Sequence, residues 1–356
     1  MRTFSVINQK GGCGKTTTSI NLAAALAQLD QRVLLVDMDP QSHCALGLAV
    51  PENQINAHIG DALLNPGLVD RPGDLIWQIS ATLDLAPSCV ALAGVERKLA
   101  GEPDRDLRLA KMLRRLDDRY DICIIDCPPS IGLLTFNALR AADEVLIPVE
   151  TSYFALKGAR KQLATIKVMA EQCGHAVYTH VLANMYDVRL RMARELMDEL
   201  NKQFGKAVVP VPIHFNTKLK EAVSFGQPIV EYDPACRAAQ DYERLARHLL
   251  ANVPAKPSRL PGIADMQDNR AAIAAAADAV HRLRDRQAEA QSDQPAQPPR
   301  PTDRAAELVQ RARALAARAS RLEERFSVDP ELTDAVERAQ QRPVQRHLGR
   351  GRERRG

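Results

Sequence analysis

The chain has 356 residues, 45 % of them hydrophobic, enough for one large α/β core with an appendage or for two domains. Aromatic residues are only 4 % and Trp77 is the single tryptophan, which argues against stacking on aromatic platforms as the main mode of binding. The net charge of +4 is unevenly placed, because residues 256–356 carry 20 Lys/Arg against 15 Asp/Glu while residues 1–255 are balanced at 28 against 29.

The seven cysteines are scattered, with no C-x-x-C pair, so they read as reduced, buried thiols of a cytosolic protein rather than a disulfide or zinc framework. The first residues, Thr3 to Asn8, read directly as a strand rather than as a leader. No apolar run approaches the roughly 20 residues that span a bilayer.

Apolar runs closed by turn residues predict buried strands at Phe4–Ile7, Val33–Val36, Leu83–Ala86, Ile122–Ile125, Val145–Val149, Val177–Ala183 and Val208–Val211. Helical patterns alternate with them over Lys15–Leu29, Arg105–Asp118, Leu133–Ala141, Ala155–Gln172, Leu190–Phe204 and Ala235–Leu250. Such alternation predicts an α/β fold: a doubly wound, mainly parallel sheet covered on both faces, with ligands beyond the carboxyl ends of the strands.

The composition shifts at Asn252. A domain over 1–253 is followed by a linker over 254–264, marked by Pro254, Pro257 and Pro261. A helical, partly disordered, Arg-rich extension over 265–356 then contains the Pro-rich spacer 294–301. Leu308, Ala312, Leu315, Ala319, Leu322 and Phe326 have coiled-coil spacing over fewer than three heptads, which equally suits a marginal helix packing on its own domain. The end of the extension, with Arg342, Arg346, Arg350, Arg352, Arg354 and Arg355, suits a polyanion or a solvated terminus.

The strongest chemical signal follows the first strand. Gly11, Gly12 and Gly14 let the backbone of Lys10–Thr17 curl so that successive N–H groups face phosphate oxygens, and helix-forming sequence starts at Lys15. In this loop Lys15 neutralises the β- and γ-phosphates and the Thr16 hydroxyl ligates Mg²⁺. The standard pattern G-x-x-x-x-G-K-[ST] requires glycine at position 9, where this chain has Gln9.

The run Lys10-Gly11-Gly12-Cys13-Gly14-Lys15-Thr16-Thr17 resembles the deviant Walker A loop of the ParA/MinD family of P-loop ATPases. Further stretches carry the same resemblance: Leu34–Gln41, Ile122–Pro129, Gly132–Leu139, Ile147–Val149, Val181–Arg189, Glu221–Ile229 and Tyr232–Pro234. Asp39-Pro40-Gln41 and Gly226–Pro234 point to the partitioning branch, similar to ParA and Soj. The resemblance covers residues 1 to about 250.

What it implies is specific. ATP and Mg²⁺ are the cofactors. Lys10 becomes the signature lysine that reaches the phosphates of a partner subunit. Asp39 orients the attacking water, and Asp37 and Asp126 join Thr16 on the magnesium side. Catalysis falls to Lys10, Lys15 and Asp39. Asn184 and Pro212 lie where the family contacts adenine. Arg189, Lys218, Lys220 and Arg237 are carried over as DNA contacts, with Arg191 and Arg194 beside them. After Val211-Pro212 the chain reads Ile213-His214 where the family usually has arginines.

The implied activity is slow ATP hydrolysis by a switch that dimerises on ATP and partitions a chromosome or plasmid. The implied partners are a second copy of the chain, nonspecific DNA and a ParB-like activator protein, with no stable membrane insertion. The implied location is cytoplasmic and nucleoid-associated. The alternative is a related ATPase that positions another cargo, such as a protein cluster or division machinery, through its C-terminal extension.

Overall fold

The computed structural model describes residues 1–151, 164–165 and 177–253. Apart from residues 164–165, the helix expected over 155–172 lies outside the described residues, as do the linker, the Pro-rich spacer, the coiled-coil spacing and the Arg-rich end.

Seven strands form one sheet: β1 (Arg2–Val6), β2 (Val33–Asp37), β3 (Trp77–Gln78), β4 (Leu83–Ala86), β5 (Ile122–Asp126), β6 (Glu144–Glu150) and β7 (Tyr178–Asn184). Their order is β3-β4-β2-β5-β1-β6-β7, and only the short β3 runs antiparallel to its neighbour. Both faces of the sheet are buried. Leu34, Val36, Cys123 and Ile125 enter one apolar cluster, while Val33, Leu35, Ile122 and Ile124 enter the other. β2 and β5 are therefore continuously hydrophobic up to their last residue rather than alternating.

Helix α1 (Lys15–Ala27) starts directly after Gly14 and is buried along nearly all its length. Two short helices follow, α2 (His43–Gly47) and α3 (Ile59–Leu64), then α4 (Val95–Lys98), α5 (Arg108–Arg114) and α6 (Leu133–Ala141). Beyond β7 come α7 (Arg191–Phe204), α8 (Lys218–Ser224), α9 (Ile229–Tyr232) and α10 (Arg237–Ala251), the last packed against α1.

Two expected elements differ. Val208–Val211 is not a strand: it contributes an isolated bridge to Val181, with Val209 N–H donating to the Val181 carbonyl and Ile213 N–H to that of Ala183. Pro210 and Pro212 remove the donors a regular ladder needs. The helix expected over Arg105–Asp118 is shorter, because Asn137 of α6 binds its entrance: its Oδ1 accepts from Leu109 N–H and its Nδ2 donates to the Arg105 carbonyl.

No helix among the described residues is long and apolar enough to cross a membrane.

Candidate nucleotide and cation site

Five parallel strands deliver polar groups at their carboxyl ends: β1 into the glycine loop, β2 to Asp37, β5 to Asp126, β6 to Glu150 and β7 to Asn184. The register makes them neighbours, since Asp37 lies opposite Asp126 and Glu150 opposite Asn184. Sequence reasoning named most of these residues, but the sheet order brings them together.

The loop adopts the conformation its glycines permit. Gly12 and Gly14 have φ of 74° and 87°, in the left-handed region, and a Cβ on Gly14 would stand 2.4 Å from Asn184 Nδ2. The loop is held from two sides. Asn8 Nδ2 donates to the Pro148 carbonyl (2.7 Å), and Asn8 Oδ1 accepts from Lys10 N–H (2.9 Å). Asn184 Nδ2 donates to the Cys13 carbonyl (2.8 Å), and its Oδ1 accepts from Met185 N–H. Asn184, assigned from the sequence to the adenine side, thus lies buried against the phosphate loop itself. Pro212 is half-buried in the segment beside β7.

The two loop lysines occupy different environments. Lys15 is buried, and its ammonium donates to the Lys10 carbonyl (3.3 Å). Lys10 is 44 % exposed and ion-paired with Glu150. Thr17 lies within the first turn of α1, where its carbonyl accepts from Asn21 Nδ2. The thiol of Cys13 is buried and donates to the Lys10 carbonyl, and burial pushes its pKa up.

At the foot of the loop the carboxylates gather. Thr16 Oγ1 donates to Asp126 Oδ2 (2.7 Å) and Ser19 Oγ to Asp126 Oδ1 (2.8 Å). Asp37 accepts from the N–H groups of Asp39 and Cys44, and Asp39 in turn accepts from Gln41 N–H. Asp37 and Asp126 are both fully buried. Burial pushes Asp126 up to about 6, against the hydrogen bonds from Thr16 and Ser19. Burial, then the charge of Asp126, pushes Asp37 well above the carboxylate range. Two adjacent desolvated carboxylates edged by hydroxyl oxygens fit a hard divalent cation such as Mg²⁺, which takes oxygen ligands. Ser19 escaped sequence reasoning, although it stands three residues after Thr16 on the same helical face. Cys44 escaped it too: its thiol lies 3.7 Å from Asp126 Oδ2 through a contact between residues 82 apart in sequence.

The residues assigned to DNA sit on exposed ground beyond β7. Arg189 is ion-paired with Asp187, Lys218 with Asp233 and Arg191 with Glu195. Arg237 Nη2 lies 2.8 Å from His214 Nε2, and His214 Nδ1 lies 2.7 Å from the buried carboxylate of Asp241. Asp241 is also held by Arg244. Lys220 is exposed on α8. Of these cations, Arg189, Arg191 and Lys218 are set against local carboxylates.

Comparison with known proteins agrees with this architecture. Residues 1–178 match the family model described as an AAA domain. The chain is 40 % identical over 254 residues to the sporulation initiation inhibitor protein Soj of Bacillus subtilis (strain 168), covering 70 % of this chain and 98 % of that protein. It is 41 % identical over 262 residues to the chromosome partitioning protein ParA of Myxococcus xanthus, covering 72 % and 91 % respectively. Among solved structures, cobyrinic acid a,c-diamide synthase from Mycobacterium smegmatis with bound ADP and magnesium is similar at a TM-score of 0.61 and 29 % identity, over 73 % of this chain and 100 % of that one.

The parallel sheet and the glycine loop opening α1 define a P-loop protein of the deviant Walker A type. Within that class, the chain belongs to the ParA/Soj family of chromosome-partitioning ATPases.

Proposed function

We propose that the protein is a MgATP-dependent dimerising switch for chromosome or plasmid partitioning, which binds DNA nonspecifically in the ATP state and is released by a ParB-like partner. The observation that carries this reading is the division of labour between the two loop lysines. Lys15 is buried within its own loop, whereas Lys10 stands at the rim, paired with Glu150.

In this reading the N–H groups of Lys10–Thr17 and the start of α1 bind the phosphates. Lys15 balances charge within the subunit, and Lys10 leaves Glu150 to reach the phosphates of a second subunit. Thr16 holds Mg²⁺, with Asp126 and Asp37 behind it; the ion, when bound, supplies positive charge to the phosphate oxygens. Asp39 orients the attacking water. Asn184 and Pro212 bound the adenine side, with Asn184 also fixing the loop. Loss of the γ-phosphate removes contacts specific to the dimer, so the switch relaxes. Hydrolysis without the partner is slow, as a persistent state requires. The DNA contacts are Arg189, Lys218, Lys220 and Arg237, of which Arg189 and Lys218 exchange their present carboxylate partners for DNA phosphates.

The test is co-sedimentation with nonspecific DNA in ATP, ADP and no nucleotide, comparing wild type with Lys10→Ala. Binding is expected with ATP alone and only for the wild type. Equal binding in all conditions would sink the switch.

A further inference from the structure

We propose that Cys44 turns the cation site at the ends of β2 and β5 into one that also takes a thiophilic divalent cation, zinc foremost, in competition with magnesium. The inference rests on reading that site as cation-binding.

The Cys44 thiol and the carboxylate oxygens of Asp37 and Asp126 lie within 4.8 Å of one another, all three residues being buried. Sulfur and oxygen bound to one tetrahedral zinc, at about 2.3 and 2.0 Å from the metal, stand about 3.5 Å apart. The 3.7 Å between Cys44 Sγ and Asp126 Oδ2 already approaches that spacing. Bringing all three donors onto one ion needs contractions of at most about 1.5 Å.

Other features hold Cys44 in this position. Its backbone N–H donates to Asp37 Oδ2 (3.1 Å), which ties the residue to one of the carboxylates it would share an ion with. The two carboxylates are neighbours in register and carry no water-exposed surface, so a cation between them removes a repulsion that burial cannot screen. Thr16 and Ser19 add hydroxyl oxygens at Asp126. Among the described residues the other loop-side thiols are turned elsewhere: Cys13 to the Lys10 carbonyl and Cys127 to the Ile125 carbonyl.

The selectivity follows from ligand type. Magnesium demands oxygen and near-octahedral geometry, and gains nothing from sulfur. Zinc and cadmium take thiolate with carboxylate in a smaller, tetrahedral set. As the sulfur–metal bond forms, the Cys44 proton passes to the buffer; no electron is transferred and no further reactant is needed.

Cadmium chloride titrated into the full-length, nucleotide-free protein tests this, followed by the ultraviolet thiolate-to-cadmium charge-transfer absorbance. Wild type and Cys13→Ser should develop the band, and excess Mg²⁺ should remove it. Cys44→Ser, which keeps the side-chain volume close, and Cys44→Ala should lose the band and bind Cd²⁺ at least about tenfold more weakly, the low end of the loss seen even for outer-shell partners. An undiminished band in the folded Cys44→Ser protein, or a wild-type band indifferent to Mg²⁺, overturns the proposal. MgATP binding by the wild type is measured separately. Its absence alongside an intact, Mg²⁺-sensitive band would overturn the nucleotide reading and not this one.

Discussion

The two ends of the sheet solve the problem of buried charge in opposite ways. At the amino ends, charges are matched. The buried Glu144 receives the guanidinium of Arg2 and stands 2.5 Å from His180 Nε2. Arg2 also donates to the Leu249 and Asn252 carbonyls, closing the last turn of α10. Burial alone would raise Glu144, but the hydrogen bonds from His180 and Arg2 outweigh it and hold the carboxyl below its ordinary value. At the carboxyl ends, Asp37 and Asp126 are raised instead. A charge matched within the chain stabilises the fold, whereas in the proposed function the raised carboxylates are matched by a cation.

The contrast can be broken or sharpened by substitution. The largest stability effect is expected at the matched end. Glu144→Ala leaves Arg2 and His180 facing a buried void and should cost about 3–5 kcal/mol, read as a fall in thermal midpoint, while the ATP affinity of the folded fraction stays as in wild type. The pH dependence has a defined sign. Because the folded carboxyl lies below the ordinary 4.5, the unfolded chain binds more protons across that window. The contribution of Glu144 is therefore complete above 4.5 and lost as pH falls below it. Arg2→Met should accordingly raise the midpoint of acid unfolding followed by circular dichroism.

At the unmatched end the order of effects reverses. Gly14→Ala meets both a φ of 87° and the Asn184 amide, a strain of about 1–3 kcal/mol that should lower ATP affinity roughly 10- to 100-fold in a binding titration. Unaltered affinity would mean that this loop does not need its observed shape. Asn184→Ala removes the donor to the buried Cys13 carbonyl and should cost about 1–3 kcal/mol. Here stability and ATP affinity should fall together; a loss of stability alone would make Asn184 a structural brace. Arg189→Ala, breaking an exposed pair with Asp187, should change stability by less than about 1 kcal/mol. Its DNA affinity should weaken uniformly across sequences, with a salt slope smaller by about one.

Much of the fold is legible in the sequence. The strands β2 and β5 announce themselves as short, wholly apolar runs closed by an aspartate, and the pattern for α6 matches its observed ends, Leu133–Ala141. The elements that escaped are short: α2, α3, α4, α8 and α9 span seven residues or fewer, too few turns for a helical period to emerge. The capping of α3 by His58, whose ring accepts from Gly60 N–H while Asp61 returns a bond to His58 N–H, uses an uncommon capping residue.

The sequence by itself determined the chemistry of the phosphate loop, because spacing of glycine, lysine and threonine along one continuous segment dictates which backbone donors and side chains can face a phosphate. It also determined that the strands would be parallel and buried, since runs apolar on both faces can lie only between two layers of helices. The tertiary structure alone decided which distant groups share the site. The order β2-β5-β1-β6-β7 set Asp37 beside Asp126, Asn184 against Cys13 and Glu150 beside Lys10, contacts between residues as many as 171 positions apart. It also set a cysteine thiol among those carboxylates. A local sequence pattern holds no record of such neighbours, because strand order is fixed by the packing of the whole sheet and its helices.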